Sequence, residues 1–522
     1  MRIGVDVGGT HTDAVIMDGA SLVAVTKALT SADIASGVIE AVRAVLAQSG
    51  LAAPAIKMIT IGTTQFTNAI VERRELSPVA ALRIGAQSSA ALPIGAKWPA
   101  DISAAAILSG AMADGGHEYD GTPITPLDDA AIEGAIEAAA AAGAEAVAVT
   151  SVFATANPDA EKNIAEKIRE RLPGAALSLS HELGRIGLYQ RENATILNAA
   201  LMALAEKVVT AFEDAFAALS LSCPLFLSQN DGTLMSADYA RRYPVFTFSS
   251  GPTNSMRGAA YLSGLANAMV VDVGGTTSDI GMLIDGFPRP SGTAVEIGGV
   301  LTNFRMPDVL ALGLGGGSIV SADGARVGPQ SVGRDLVREG RVFGGDVLTA
   351  SDVAVATARA DFGDKTHVSN LDAAVAARAS EAMSAMLARG VDRMKTSAEP
   401  APLIVVGGGG FLAPDMLPGV SEVIRPQNAG VANAIGAAFA QIGGEAEVIY
   451  SASTRPRDEA LSAAKKRATE RAIGAGADPQ TTDIVEVEET PMSYMSEPGA
   501  VIRVKAVGDA DLSRFAAQTG AS

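Results

Sequence analysis

VDVGGTHTDAVIMDG, at residues 5–19, is the stretch that decides the fold, because the chain repeats it as VDVGGTTSDIGMLIDG at residues 271–286. Each copy contains an apolar strand that ends in an aspartate, a glycine turn with hydroxyl residues, a second strand and an Asp-Gly turn. The distance between the copies is far longer than the period of a solenoid repeat. The repeat therefore predicts two related lobes, each opening with strand, turn and strand.

The glycine turns have the composition of phosphate-binding loops. Glycine lets backbone N–H groups approach an anion closely, and threonine hydroxyls can donate hydrogen bonds to phosphate oxygens. Asp6 and Asp272, at the strand ends, are positioned to hold Mg²⁺ through water, as this ion prefers. A single copy is better explained by an ordinary β-turn, but two copies favour a nucleotide site. The predicted ligands in the turns are Gly8, Gly9, Thr10, Thr12, Gly274, Gly275, Thr276 and Thr277.

A third glycine loop follows the apolar strand at residues 404–406. We assign Gly407, Gly408 and Gly409 to the adenosine end of a nucleotide. The chain lacks the Rossmann arrangement at its first strand, and it lacks the Gly-Lys-Ser/Thr phosphate loop. The glycine motifs thus predict a nucleotide site of a different type.

Composition excludes several other classes. The chain has 522 residues, which is too many for one core, so we expect two or three domains. A net charge of −18 and an aromatic content of 4% argue against nucleic acid and anionic membranes as partners. No run of 18 to 20 uninterrupted apolar residues occurs, and the first residues enter a strand at once, so we expect a cytoplasmic protein. The single cysteine, Cys223, and four scattered histidines disfavour disulfides, metal clusters and a zinc hydrolase.

Strand and helix signals alternate along most of the chain, which predicts an α/β fold. We expect a helix at 33–48 capped by Ser31, irregular structure over 85–126, and a long helix at 191–219. The predicted domains are 1–178, 179–440 and a small α+β appendage at 441–522.

Further segments identify a family. The paired turns and the late glycine loop resemble the superfamily of sugar kinases, heat-shock chaperones and actin. Within it the chain resembles the hydantoinase A/5-oxoprolinase family, on the motifs at residues 4–13, 62–64, 67–69, 72–74, 179–182, 191–199, 249–252, 272–279, 315–318 and 327–331.

The resemblance implies two actin-like (ribonuclease H-like) ATPase lobes around a cleft that binds ATP and Mg²⁺. It adds Gly315, Gly316, Gly317 and Ser318 to the phosphate ligands. It also implies a small cyclic amide substrate, such as a hydantoin or 5-oxoproline, whose carbonyl oxygen is phosphorylated before ring opening. A second hydantoinase-type subunit and an oligomeric assembly are further implications.

The candidate catalytic residues are Asp6, Asp272, Asp13 and Asp279, the last two of which either organise the turns or orient a reacting group. Two alternatives stay open at this stage. The first is that the chain is a small-molecule kinase of the same superfamily. The second is that it is a regulatory ATPase whose output is domain closure.

Overall fold

The computed structural model describes residues 1–8, 10–30, 34–183, 185–452, 456–492 and 499–513. The strands are β1 (Arg2–Val7), β2 (His11–Asp18), β3 (Ser21–Leu29), β4 (Met58–Thr63), β5 (Val79–Ile84), β6 (Ile107–Ala113), β7 (Ala146–Ser151), β8 (Ala176–Leu179), β9 (Leu225–Ser228), β10 (Leu234–Ser236), β11 (Ala268–Val273), β12 (Ser278–Ile284), β13 (Phe287–Pro288), β14 (Val295–Ile297), β15 (Val300–Thr302), β16 (Val309–Leu312), β17 (Ser318–Val320), β18 (Val327–Ser331), β19 (Ala401–Val406), β20 (Val420–Ile424), β21 (Ile442–Ser451), β22 (Asp483–Pro491) and β23 (Gly499–Gly508).

The α-helices are α1 (Ile34–Ser49), α2 (Gln65–Glu72), α3 (Ala86–Ser89), α4 (Ala100–Ala106), α5 (Asp129–Ala141), α6 (Asp159–Arg171), α7 (Ser180–Leu183), α8 (Leu188–Ala218), α9 (Ala237–Arg242), α10 (Ser250–Ser263), α11 (Leu336–Glu339), α12 (Ala350–Ala356), α13 (Ala373–Met394), α14 (Ala432–Phe439) and α15 (Arg457–Gly474).

The first glycine turn lies in a large mixed sheet with strand order β22-β23-β21-β10-β9-β4-β1-β2-β3. β1 is antiparallel to β2 and parallel to β4, and β4 is parallel to β9. The carboxyl ends of β1, β4 and β9 therefore meet at one edge of the sheet. Asp6 and the residues that follow β9 lie at this edge.

The second glycine turn lies in a smaller sheet with order β13-β12-β11-β19-β20, to which β16 adds beside β12. β11 is antiparallel to β12 and parallel to β19, which repeats the arrangement of β1, β2 and β4. The register repeats as well, because Asp6 lies opposite Asp13 and Asp272 lies opposite Asp279. The two related lobes predicted from the sequence are confirmed.

A parallel sheet of order β6-β5-β7-β8 is inserted in the sequence between β4 and β9 of the first sheet. The prediction of irregular structure for residues 85–126 is wrong for α3, α4 and β6. The segment of α4 and β6 is rich in alanine, and β6 shows no alternation of buried and exposed residues, so neither the helix nor the strand periodicity is clear. The expected cap residue Ser31 lies outside the described residues.

The C-terminal strands extend the first sheet. β21 pairs in parallel with β10 and antiparallel with β23, which in turn pairs with β22. The domain bounds 1–178, 179–440 and 441–522 stay a prediction, and the sheet groups strands from all three segments.

The largest hydrophobic core joins α1, α8 and α15 to the first sheet. Among the described residues, α8 is the one helix long and apolar enough to cross a membrane by length and composition. Most of its apolar window is buried within the protein, where it packs against α1, β7 and β8. This burial accounts for its apolar character.

Candidate functional site

The two glycine turns have the same geometry and face each other. The Gly8 amide donates to the His11 carbonyl (3.0 Å), and the Gly274 amide donates to the Thr277 carbonyl (2.8 Å). A Cβ built on Gly275 would lie 3.1 Å from Thr10 Cγ2, so the turns meet across the cleft between the lobes. Gly9 lies outside the described residues, and its role stays a prediction.

Asp6 is buried at the carboxyl end of β1, where two asparagines hold its carboxyl group. Oδ1 accepts from Asn254 Nδ2 (3.2 Å) and Oδ2 accepts from Asn433 Nδ2 (3.0 Å). Burial raises the pKa of Asp6 to about 7, and the charges of Asp13 and Asp272 add to this effect. The site thus concentrates negative charge that a cation would stabilise.

Asp272 occupies the equivalent position at the end of β11. Its Oδ2 accepts from Ser255 Oγ (2.5 Å). Burial raises the pKa of Asp272, and the nearby charge of Asp13 raises it further. The structure therefore brings together the two aspartates that were predicted to hold a metal.

The second pair of aspartates lies one strand further on. Asp13 is buried in β2 and forms an ion pair with Lys27 Nζ on β3 (2.6 Å). Asp279 lies opposite Asp272 on β12, and burial followed by the Asp272 charge raises the pKa of Asp279 to about 7. Lys27 was not predicted, and it offsets the charge of Asp13.

The start of α10 positions both metal-site aspartates, because Asn254 binds Asp6 and the next residue binds Asp272. Sequence reasoning missed Asn254, Ser255 and Asn433. The motif at residues 249–252, shortly before Asn254 and Ser255, was the signal in the sequence that could have pointed to them. Asn433 comes from α14, an otherwise apolar helix.

α10 and α14 approach closely because each presents a glycine. A Cβ on Gly258 would collide with the Ala432 carbonyl, and a Cβ on Gly436 would collide with the Asn254 carbonyl. Only residues without a Cβ permit this separation. The crossing places Asn254 and Asn433 on either side of Asp6.

The four threonines of the turns differ in position. Thr276 and Thr277 are exposed and Thr10 is half-buried. Thr12 is fully buried, with its hydroxyl 3.2 Å from Thr30 Oγ1. The first three are therefore placed for a ligand in the cleft, while Thr12 is held inside the protein.

The segment 315–318 is buried behind the second turn. The Gly316 amide donates to the Gly274 carbonyl (3.0 Å), the Gly317 amide donates to the Gly275 carbonyl (2.7 Å), and the Gly315 amide donates to Ser318 Oγ (2.8 Å). These amides support the turn, since their hydrogens are already bound within the protein.

The third glycine loop packs on the second turn. Gly407 has a φ of +86°, and a Cβ there would collide with Asp272 Oδ1. The Gly409 amide donates to the Val273 carbonyl (2.7 Å). Gly408 is exposed, with open space where its side chain would be. The structure thus brings the loop next to Asp272.

The donor set fits magnesium. Within the described residues, no group of three or more His, Cys, Asp and Glu side chains is arranged to hold a metal ion. Magnesium in nucleotide sites commonly takes one or two carboxylates and completes its shell with water and phosphate oxygens. Two carboxylates with raised pKa values, the buried Asp6 and the half-buried Asp272, match that pattern.

Comparison with known proteins identifies the family. Residues 2–172 match the description "Hydantoinase/oxoprolinase N-terminal region", and residues 191–361 match "Hydantoinase/oxoprolinase". The chain belongs to the hydantoinase/oxoprolinase family. The family resemblance seen in the sequence motifs is thereby confirmed.

Two proteins with different names are similar to this member of the hydantoinase/oxoprolinase family. It is 27% identical over 355 residues to caprolactamase subunit alpha of Pseudomonas jessenii, covering 64% of this chain and 51% of that protein. It is 28% identical over 366 residues to the acetophenone carboxylase gamma subunit of Aromatoleum aromaticum, covering 63% of this chain and 49% of that protein. The match thus spans about half the length of each relative.

Solved structures support the fold of the family member. ATP-dependent caprolactamase from Pseudomonas jessenii aligns with a TM-score of 0.76 at 20% identity, covering 97% of this chain and 87% of that chain. Nucleotide-free acetone carboxylase aligns with a TM-score of 0.67 at 16% identity, covering 97% of this chain and 88% of that chain. The predicted α/β fold with two related lobes is confirmed.

Proposed function

We propose that this family member is the ATP-using component of an enzyme that activates a cyclic amide or imide by phosphorylating its carbonyl oxygen. The observation that carries the proposal is the pair of facing glycine turns, each with an aspartate of raised pKa at its strand end. A relative whose name specifies a lactam supports the substrate class.

The chemistry needs activation because an unstrained amide carbonyl is a poor electrophile. Transfer of the terminal phosphoryl group breaks its bond to ADP and forms a bond to the carbonyl oxygen. Water then adds to the activated carbon, and the ring C–N bond breaks as the nitrogen takes up a proton, which leaves an acyl phosphate. A second water hydrolyses the acyl phosphate to a carboxylate and inorganic phosphate. Positioning and charge neutralisation are the protein's main contributions to such a transfer.

The residues have separable tasks in this proposal. Asp6 and Asp272 would hold Mg²⁺, which neutralises phosphate charge when bound. Asn254 and Ser255 fix the two carboxylates, and the exposed Thr276 offers a hydroxyl to the phosphates. The asparagine and serine therefore act as positioning residues.

A carboxylase component is the second candidate, because the acetophenone carboxylase gamma subunit matches as well as the caprolactamase subunit. Both relatives are named as subunits. We therefore propose that a second subunit completes the reaction after activation, as part of an oligomeric assembly in the cytoplasm.

The test measures ADP release by the purified chain with Mg-ATP and hydantoin, simple lactams, 5-oxoproline or acetophenone with bicarbonate, while NMR follows each substrate. ADP release that depends on one of the cyclic amides supports the proposal, and ring opening is expected once the second subunit is added. A stable phosphorylated product identifies a kinase, and ADP release indifferent to every small molecule identifies a regulatory ATPase. Asp6→Asn and Asp272→Asn should both abolish turnover, and undiminished activity in both would contradict the metal assignment.

A further inference from the structure

A surface segment that follows β18 lies directly beside the second glycine turn. It comprises residues 332–340 and contains a 3₁₀ turn at Gly333–Asp335 followed by α11. A Cβ built on Gly333 would lie 3.7 Å from Thr276 Cγ2 in the glycine turn. Because Thr276 is exposed and placed for a ligand in the cleft, the segment borders the proposed phosphate site.

Hydrogen bonds hold the start of this segment against the turn. The Val332 amide donates to the Gly317 carbonyl (3.0 Å), and the Gly317 amide donates to the Gly275 carbonyl (2.7 Å). Ser331 Oγ accepts from the Gly333 amide (3.1 Å) and donates to the Gly275 carbonyl (3.5 Å). The backbone of the segment is therefore positioned by the turn itself.

The residue that follows Gly333 is an arginine. Gly333 has a φ of +55°, a conformation that favours glycine and brings the backbone next to Thr276. The Cα of Arg334 lies about 3.8 Å further along the chain, and an extended arginine side chain spans about 6–7 Å from Cα to guanidinium. A phosphate group bound at Thr276 is therefore within reach of the Arg334 guanidinium.

The guanidinium group of Arg334 is not committed to a contact within the protein. Arg334 is exposed, and within the described parts of the chain its side chain has no hydrogen bond and no acidic partner. The neighbouring acid, Asp335, pairs with Arg338 (3.3 Å), which also pairs with Glu339 (3.1 Å). Of the two arginines on this segment, Arg334 is thus the one available to a ligand.

The charge of the site favours such a cation. Asp6 lies opposite Asp13 and Asp272 lies opposite Asp279, so four carboxyl groups lie near the two turns. Lys27, the cation described on the first lobe, already pairs with Asp13 (2.6 Å). The phosphates of a nucleotide add negative charge that one Mg²⁺ only partly offsets. Further positive charge beside the phosphates therefore stabilises the bound nucleotide.

A guanidinium group suits this task chemically. Its planar fork of N–H donors matches two phosphate oxygens at once, and it stays protonated at every pH at which proteins are folded. It therefore acts through charge and hydrogen bonding and takes no part as an acid or base. Thr276 and Arg334 offer a hydroxyl and a cation from the same side of the cleft.

We propose that Arg334 binds the phosphate groups of the nucleotide from the second lobe, beside Thr276. The assignment deepens the proposed function and rests on it, because that function supplies the nucleotide. During phosphoryl transfer the guanidinium group offsets negative charge on the phosphate oxygens, which stabilises the transition state.

Isothermal titration calorimetry on the full chain with Mg²⁺ at pH 7 measures the affinities for ADP and for a non-hydrolysable ATP analogue. Arg334→Gln should weaken binding of both by about 10- to 100-fold, because charge-assisted hydrogen bonds to phosphate are lost. Arg334→Lys keeps the charge without the planar fork and should lose less affinity. Arg338→Gln, the same chemical change at the paired arginine of the segment, is the control and should bind like wild type.

Salt dependence separates a phosphate contact from an effect on the fold. Salt screens exposed charges, so the affinity of wild type for Mg-ADP should fall more steeply with added NaCl than that of Arg334→Gln. Without nucleotide, both proteins should have the same Tm, since the described residues give Arg334 no partner to lose. Wild-type affinity in Arg334→Gln, equal losses in Arg334→Gln and Arg338→Gln, or equal salt slopes would overturn the proposal.

The two proposals fail separately. Nucleotide binding that responds to Arg334→Gln, without ADP release that depends on a cyclic amide, supports the phosphate contact and contradicts the proposed function. ADP release that depends on a cyclic amide and is unaffected by Arg334→Gln supports the function and contradicts the contact. Absence of nucleotide binding by wild type would contradict both.

Discussion

Replacing Asp279 with asparagine should stabilise the protein at pH 8 much more than at pH 5. Burial and the neighbouring charge of Asp272 raise the pKa of Asp279 to about 7 from an ordinary value of 3.8. Between these two values the native state keeps a proton that the unfolded chain has lost. The contribution of Asp279 to stability therefore falls as the pH rises from about 4 to about 7.

The size of the effect follows from the two pKa values. One pKa unit corresponds to about 1.4 kcal/mol, so the unfavourable contribution is about 4 kcal/mol at pH 8 and about 2 kcal/mol at pH 5. Asparagine removes the titration at both pH values. The gain in unfolding free energy should thus be larger at pH 8 by about 2 kcal/mol.

Differential scanning calorimetry of wild type and Asp279→Asn, in EDTA and without nucleotide, provides the measurement. A cooperative unit of 150–250 residues shifts by about 2–4 °C per kcal/mol, so the increase in Tm at pH 8 should exceed that at pH 5 by several degrees. Asp415→Asn, at a carboxylate that is 94% exposed, serves as the control and should show no such pH dependence. The same shift in Tm at both pH values would refute the reasoning.

Close packing and buried charge give two further predictions. Gly407→Ala should displace Asp272 and lower the rate of ADP release by about 10- to 100-fold. Gly174→Ala, at an exposed glycine whose Cβ would point into open space, should leave the rate unchanged, and equal rates for the two variants would contradict the geometry. Glu192→Gln leaves the buried Arg83 without its 2.5 Å ion-pair partner and should lower the unfolding free energy by about 3–5 kcal/mol in urea titrations. Glu137→Gln in an exposed pair should cause no measurable change, and equal midpoints for the two glutamine variants would count against the buried pair.

The parts of the site that sequence could predict are those in which the chemistry is local. Asp6 and the glycines of its turn are adjacent in the chain, and the copy around Asp272 removes most of the ambiguity of a single turn. The pairing of β1 with β2 and of β11 with β12 also follows locally, since each pair is joined by its own turn.

The parts that could not be predicted depend on contacts between distant segments. Lys27 reaches Asp13 across a strand pair, and Arg83 meets Glu192 across 109 positions of the chain. The pairing of β21 with β10 likewise joins the C-terminal segment to the first sheet. Strand periodicity identifies such elements, but it does not say which strand lies beside which.

The position of Asn254 shows how these two kinds of information combine. Asn254 follows the motif at residues 249–252, which the sequence identifies, but its side chain reaches Asp6 because α10 and α14 cross at Gly258 and Gly436. The atoms that forbid a larger residue at these glycines are backbone carbonyls of the opposite helix, which no local pattern identifies. An alanine at either glycine would therefore separate the helices and move the two asparagines away from Asp6, although both turns kept their sequence. The site is specified as much by this crossing as by the repeated motif.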